Sequence, residues 1–153
     1  MKHIFILISV FAALFVFDDI NIQWEDEVTG DFSFSKKQSM KCEAWCYEFA
    51  GCTEIFAKRL SKDSIVCYTL PNETTHSTLH FYIVKDKICQ PRIELNSITG
   101  TKKNYSSNKG KMKIDKKLFQ KKIVKADFEM QFHHDENPSK SMFWKGKIFA
   151  KIK

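Results

Sequence analysis

The sequence predicts an α+β fold rich in antiparallel strands, with one short disulfide-stapled helix packed on a sheet and a C-terminal β-hairpin. Apolar and polar residues alternate over most of the chain after residue 51, which is the two-residue period of half-buried strands. All five cysteines lie between Cys42 and Cys89, a clustering that favours a disulfide framework. The 153 residues are 43% hydrophobic, so the chain can bury a core, and this excludes a disordered tail.

Residues 1–17 are typical of a secretory signal peptide. Lys2 precedes an apolar run from Ile4 to Phe17, which is too short to cross a hydrocarbon layer of about 30 Å comfortably. An uncleaved membrane anchor is the alternative. We expect cleavage between Ala13 and Phe17 and a secreted, extracellular protein without a membrane span.

Two triplets fit the acceptor for N-linked glycans. Asn72 and Asn104 are each followed two residues later by Thr or Ser, whereas Pro138 blocks the similar triplet at Asn137. Glycosylation at Asn72 and Asn104 would agree with export.

The first element of the mature chain is predicted to be an edge strand. Ile20, Ile22 and Trp24 alternate with polar residues, and a polar turn follows at Thr29 and Gly30. We therefore expect a short strand at the border of the sheet.

A change of period predicts a helix over residues 40–50. Cys42, Cys46 and Phe49 recur at spacings of four and three, as on one helical face. Ser39 can cap the helix at its start, and Gly51 can end it.

The rest of the chain is predicted to form strands. Residues 123–132 give the clearest alternation, with Phe128 and Met130 among the apolar positions. A turn over residues 133–142 joins this strand to the last one as a hairpin. The expected strands are 52–57, 64–70, 78–84, 92–98, 123–132 and 143–152.

Residues 99–122 are predicted to be a basic loop or linker between a stapled module at 18–98 and the hairpin extension at 123–153. Turn residues dominate 99–111. Met112 and Ile114 fit the start of a strand, whereas Leu118 and Phe119 fit a short helical turn, and both alternatives stay open.

The cysteine run carries a family resemblance. Four cysteines, Cys42, Cys46, Cys52 and Cys67, allow three pairings, and spacing alone leaves them open. Cys42-Glu-Ala-Trp-Cys46-Tyr, then Cys52, then Cys67-Tyr-Thr-Leu resembles the PAN/apple superfamily, and most of all the nematode PAN-like (CW) modules. The resemblance covers residues 32–98. It implies a sheet cradling one helix, with bridges Cys42–Cys67 and Cys46–Cys52, and it leaves Cys89 unpaired.

No catalytic or metal site is expected. Zinc is the alternative use of the cysteines, but paired Cys-x2-Cys spacing is missing, and export favours disulfides. The run from His133 to Glu136 reads as a turn, and no nuclease motif surrounds His76 or His80. Because there is also no nucleophile elbow or phosphate loop, we expect no enzyme and no cofactor.

A lysine-rich tract is the strongest charge feature. Residues 102–125 hold ten lysines and one acid, Asp115, in a chain of net charge +7. A solvated basic segment is the plain interpretation. As a binding surface it would meet sulfated glycans, anionic lipid surfaces or acidic proteins, whereas nucleic acid is disfavoured because no aromatics interleave with the lysines. The candidate anion-binding residues are Lys111, Lys113, Lys116, Lys117, Lys121 and Lys122.

The expected function is non-enzymatic binding of an extracellular protein or carbohydrate. The alternative is a β-rich carrier of a lipid or other apolar ligand, in which phenylalanines of strands 123–132 and 143–152 would line a cavity.

Overall fold

A computed structural model describes residues 19–33, 39–44, 50–71, 77–96 and 102–153. Ten strands and one short helix make up this part of the chain. They are β1 Ile20–Glu25, β2 Met40–Ala44, β3 Ala50–Thr53, β4 Ile55–Ser61, β5 Ser64–Thr69, β6 Ser77–Val84, β7 Lys87–Asn96, β8 Lys102–Asp115, α1 Lys116–Gln120, β9 Ile123–His134 and β10 Ser141–Lys151.

The described strands form one mixed sheet in the order β3-β2-β10-β9-β8-β1-β7-β6-β5-β4. All neighbouring pairs run antiparallel except β1 and β8, which pair in parallel from Ile22 with Met112 to Glu25 with Asp115. β7 also pairs directly with β8, from Arg92 with Ser106 to Asn96 with Lys102. β1 therefore fills the gap that opens between β7 and β8 further along.

The sheet curls until β4 meets the end of β10. Ala57 and Ile152 form a parallel bridge. Lys153 contributes two further bonds: its N–H donates to the Ala57 carbonyl at 3.0 Å, and its carbonyl accepts from the Arg59 N–H at 2.8 Å. The two faces of the sheet consequently become a buried inner face and a solvent-facing outer face.

Because apolar and polar residues alternate along the strands, apolar side chains fill the inner face of the sheet. Val124, Ala126, Phe128, Met130 and Phe132 of β9 are all buried, and the intervening residues are more exposed. Inward residues of the other strands join the same core. Complete burial of each large apolar side chain stabilises the fold by roughly 1.5–3 kcal/mol.

Helix α1 connects β8 to β9 and is capped by a buried acid. The Asp115 carboxylate accepts hydrogen bonds from the Leu118 N–H at 2.9 Å and from the Val28 N–H at 3.4 Å. Trp24 packs edge-on against Phe119, with ring centroids 5.0 Å apart. The helix thereby ties the segment after β1 to one end of the sheet.

Among the described residues, no helix has the length and apolar character that crossing a membrane requires.

The predicted helix packed on a sheet is wrong. Residues 40–44 and 50–53 form the antiparallel strands β2 and β3, with Cys42 opposite Gly51, and the only helix described is five residues long. β2 also pairs with β10, where Met40 lies opposite Ile148 and is fully buried. This long-range pairing outweighs the local helical spacing.

Two further predictions need correction. The strand at residues 20–25 exists, but it lies between β7 and β8 and is not an edge. Residues 102–111, expected to be a loop, belong to the 14-residue strand β8. The C-terminal hairpin is confirmed, with β9 and β10 paired from Ile123 with Lys151 to His133 with Ser141.

Candidate functional site

A row of three rings and one arginine crosses the outer face of four adjacent strands. Phe56 of β4 lies opposite Tyr68 of β5, Tyr68 lies opposite His80 of β6, and His80 lies opposite Arg92 of β7. The three rings are half-buried and Arg92 is exposed. Because neighbouring strands are about 4.8 Å apart, the row is roughly 14 Å long.

The rings pack against one another rather than into the core. Phe56 and Tyr68 stack with centroids 5.4 Å apart and an interplanar angle of 24°. His80 contacts Tyr82 edge-on, with centroids 4.8 Å apart. The stacking covers one face of Phe56 and of Tyr68, and because all three rings are only half-buried, part of each ring stays exposed to solvent.

Basic side chains flank the row. The Ala57–Ile152 bridge aligns β4 with the end of β10, so strand alternation sets Lys151 beside Phe56 and Lys153 beside Lys58 on the outer face. Arg92 ends the row on the other side. Among the described residues, none of these four cations forms an ion pair. We call the set Phe56, Lys58, Tyr68, His80, Tyr82, Arg92, Lys151 and Lys153 the basic-aromatic face.

A β-bulge brings Arg92 to this face. The pairing of β6 with β7 shifts between His80 and Tyr82, and Gln90 adopts a φ of 51°. Ile88 points inward before the bulge, and Pro91 and Ile93 point inward after it. Without the extra residue, strand alternation would direct the arginine into the core.

His80 is held in its neutral form. Partial burial, and next the positive charge of Arg92, lower the pKa of His80. Tyr68 faces it from β5, Arg92 from β7, and Tyr82 lies beside it on β6. No described carboxylate faces the ring, so an anion bound here would favour protonation.

The predicted anion-binding lysines divide into two groups. Lys111 and Lys113 lie on the outer face of β8 and pair with acids, Lys111 Nζ with Glu129 Oε2 at 3.2 Å and Lys113 Nζ with Glu25 Oε1 at 3.8 Å. Their charge is locally offset. These two residues therefore lie on a mixed-charge surface away from the row of rings.

The other four predicted lysines lie at α1 and the turn after it. Lys116, Lys117, Lys121 and Lys122 are all exposed. The Lys122 carbonyl accepts a hydrogen bond from the Ile152 N–H at 2.8 Å, so this turn adjoins the end of β10 that carries Lys151 and Lys153. Lys121 and Lys122 thus extend the basic border of the basic-aromatic face.

The expected disulfide residues are only partly described. Cys67 lies mid-β5 as a buried free thiol, so its bridge to Cys42 is not formed in this structure, and burial raises its pKa to about 12. Cys42 and Cys52 are in β2 and β3. Cys46 lies outside the described residues, and its bridge to Cys52 stays a prediction.

Cys89 is a second free thiol, on β7. Burial, and next a hydrogen bond with Asp19, raise its pKa to about 11. Both free cysteines are therefore protonated at neutral pH, which makes them poor nucleophiles and poor metal ligands.

The remaining predicted residues lie elsewhere. Asn104 is exposed on β8, Asn72 falls outside the described residues, and glycosylation of both stays a prediction. His133 and His134 end β9. No group of three potential metal ligands occurs within the described ranges.

The phenylalanines of the hairpin are divided between the two faces. Phe128 and Phe132 of β9 are 1% and 0% exposed and pack inside the core. Phe143 is half-buried, and Phe149 is 40% exposed on the outer face of β10. This arrangement fills the interior and gives no support to a carrier whose cavity these residues line.

Sequence reasoning missed the row because its three rings and Arg92 come from four different strands. Alternation alone marks Phe56, Tyr68 and His80 as outward positions, but their alignment depends on strand register, and the alignment of Arg92 with them depends also on the bulge at Gln90. In comparisons with known proteins, no family model, curated protein or solved structure matches the chain.

Proposed function

We propose that this protein is a secreted, non-enzymatic binding protein whose basic-aromatic face recognises an acidic glycan. The observation that carries the proposal is the straight row of Phe56, Tyr68 and His80, bordered by Lys151 at one end and Arg92 at the other. Secretion is part of the proposal and is supported by the signal-like residues 1–17.

The chemistry of the face suits a charged sugar polymer. The apolar C–H side of a sugar ring can stack on Phe56 and Tyr68, and its sulfate or carboxylate groups can pair with the flanking cations. Arg92 offers a planar fork of donors that suits an oxyanion. A row of about 14 Å matches an extended ligand rather than a small one.

The proposal is tested by titrating the protein with a size-defined heparin hexasaccharide in a calorimeter. We expect Arg92→Gln and Lys58→Gln each to weaken binding about three- to tenfold, because each removes one charge-assisted contact. Tyr68→Ala should weaken it similarly by removing a stacking surface. Affinity should fall as salt increases.

The matched control is Lys113→Gln, which removes the same charge from another part of the outer face, on β8. If net charge alone drove binding, this variant would lose as much affinity as Lys58→Gln. Equal losses, or no heparin binding by the wild-type protein, would disprove the proposal. Preference for anionic vesicles over the hexasaccharide would assign the face to lipid instead.

A further inference from the structure

Two adjacent histidines at the end of β9 hold the turn over residues 135–140 in opposite ways. His133 Nδ1 lies 3.1 Å from the Pro138 carbonyl oxygen. A carbonyl oxygen only accepts, so this ring nitrogen carries a hydrogen and donates it. His134 Nδ1 instead accepts hydrogen bonds from the N–H groups of Glu136 and Asn137, each at 3.1 Å. The Nδ1 atom of His134 therefore carries no hydrogen.

The two bonding patterns differ in their response to acid. Imidazoles change charge between about pH 5 and pH 8, and the charged form has a hydrogen on both ring nitrogens. His133 can gain its second proton at Nε2 and still donate to Pro138. His134 already has its hydrogen on Nε2, so a second proton must go to Nδ1, where it would face two N–H groups. The turn therefore accommodates a charged His133 but not a charged His134.

Backbone bonds complete the turn and join it to β8. The His134 N–H donates to the Lys140 carbonyl at 3.0 Å, and the Lys140 N–H donates to the Asn137 carbonyl at 2.9 Å. The Asp135 N–H donates to the Asn104 carbonyl of β8 at 3.0 Å. The His134 ring lies between these bonds, so its two accepted hydrogen bonds set the path of the chain through residues 135–137.

The His134 ring also covers a buried residue of β8 and lines a cavity of about 250 Å³. It packs edge-on against Tyr105, with ring centroids 5.0 Å apart, and Tyr105 is buried. The charged groups near the ring in the described part of the chain come from β7, β8 and the turn, and they are Glu94, Lys102, Lys103, Asp135, Glu136 and Lys140. The acids favour a proton on the ring, and the lysines oppose it.

We propose that the turn over residues 135–140 is a pH-sensitive switch, which is closed while His134 Nδ1 accepts hydrogen bonds and opens when that atom is protonated. Opening releases the Glu136 and Asn137 N–H groups and moves the imidazole off Tyr105, so the tyrosine becomes more exposed. The proposal is independent of the proposed function, because the turn shares no residue with the basic-aromatic face and either can fail alone.

NMR of the ¹⁵N-labelled protein tests the switch at pH 7.5 and at pH 5.0. At pH 7.5, long-range ¹H–¹⁵N spectra of the imidazoles should show Nδ1 without a hydrogen in His134 and with one in His133. At pH 5.0, the hydrogen-exchange protection factors of the Glu136 and Asn137 amides should fall about fivefold or more, whereas that of Phe128 in the middle of β9 should stay unchanged.

His134→Asn is the most direct variant, because the asparagine side-chain oxygen can accept from the same two N–H groups and takes up no proton in this pH range. It should keep both amides protected at pH 5.0. His133→Gln is the matched control, since it removes the neighbouring histidine and should keep the wild-type response to pH.

Three results would each overturn the proposal. They are a hydrogen on His134 Nδ1 at pH 7.5, an equal loss of protection in His134→Asn and the wild-type protein, and loss of the pH response in His133→Gln. The imidazole spectra need only the wild-type protein, so the first result can be obtained even if a variant fails to fold.

Discussion

Among single residues, the Asp115 carboxylate joins two segments of the chain, because it accepts hydrogen bonds from the Val28 and Leu118 N–H groups. Hydrogen bonds, first from the Leu118 N–H, lower the pKa of this carboxyl group although its burial acts to raise it. Because folding lowers the pKa of Asp115, its charged form stabilises the fold at pH values above the pKa that aspartate has in the unfolded chain. This stabilisation is lost as pH falls through the folded-state pKa.

We expect Asp115→Ala to lower the free energy of unfolding by about 1–2 kcal/mol at pH 7, because it removes the cap of α1 and the contact to Val28. The deficit should shrink at pH 3. Urea unfolding at both pH values measures it. An unchanged deficit at low pH would contradict the role assigned to the charge.

Cys67 provides a residue-level test of the interior. Its side chain is 1% exposed, and burial raises its pKa to about 12, so a native thiol here should resist iodoacetamide for hours at pH 8. In urea without a reducing agent it should be alkylated promptly. Mass spectrometry of the tryptic peptide that contains Cys67 measures the alkylated fraction under both conditions. A thiol that stays unmodified in urea would reveal a disulfide at Cys67.

His80 should make binding depend on pH. Burial and Arg92 lower its pKa in the free protein, and a bound anion opposes this by favouring the protonated ring. Binding to the heparin hexasaccharide should therefore strengthen severalfold from pH 7.5 to pH 5.5. His80→Gln should bind with nearly constant affinity over this range. An equal pH response in both proteins would assign the effect to another group.

Among the elements, the bulge in β7 is the one that the site depends on. Gln90 occupies the left-handed region at a φ of 51°, which β-branched residues rarely adopt. Gln90→Val should destabilise the protein by about 1–2 kcal/mol and weaken heparin binding, because it strains the turn that directs Arg92 outward. Gln23→Val, at an exposed position of β1, is the matched control. Equal stability of the two variants would contradict the role of the bulge.

The elements also show what local sequence can predict. β9 alternates over its whole length, and β10 alternates apart from Gly146 and the outward Phe143 and Phe149, so their existence and hairpin pairing follow from the two-residue period. Residues 40–50 carry a helical spacing of cysteines, yet Met40 pairs with Ile148 more than a hundred positions away. β8 contains many lysines and Gly110, so its strand character comes from its neighbours.

For the candidate site, the sequence predicts the charge but not its position. The lysine-rich tract carries the predicted positive charge. Two of the six lysines selected from it, Lys111 and Lys113, pair with Glu129 and Glu25, which are distant in sequence. Lys122 contacts the end of β10, where its carbonyl accepts a hydrogen bond from the Ile152 N–H. The rings are brought together by register across three strands, β4 to β6, and register depends on strand pairing that local sequence does not show.

For the whole molecule, the curled sheet explains how one small chain carries two dissimilar surfaces. Closure of β4 onto the end of β10 turns every strand's outward residues to solvent, so the rings and Arg92 of β4 to β7 and the mixed charges of β8 to β10 occupy different parts of the outer face. The net charge of +7 brings acidic ligands toward the protein, and the arrangement of side chains decides where they bind.

Chemical-shift mapping with the heparin hexasaccharide tests the glycan-binding account most directly. In a titration of ¹⁵N-labelled protein, the largest amide shifts should fall at Phe56, Tyr68, His80 and Arg92, with smaller ones at Lys151 and Lys153. Shifts centred on Lys111 and Lys113, or spread evenly over the lysines, would contradict a specific glycan-binding site on the basic-aromatic face.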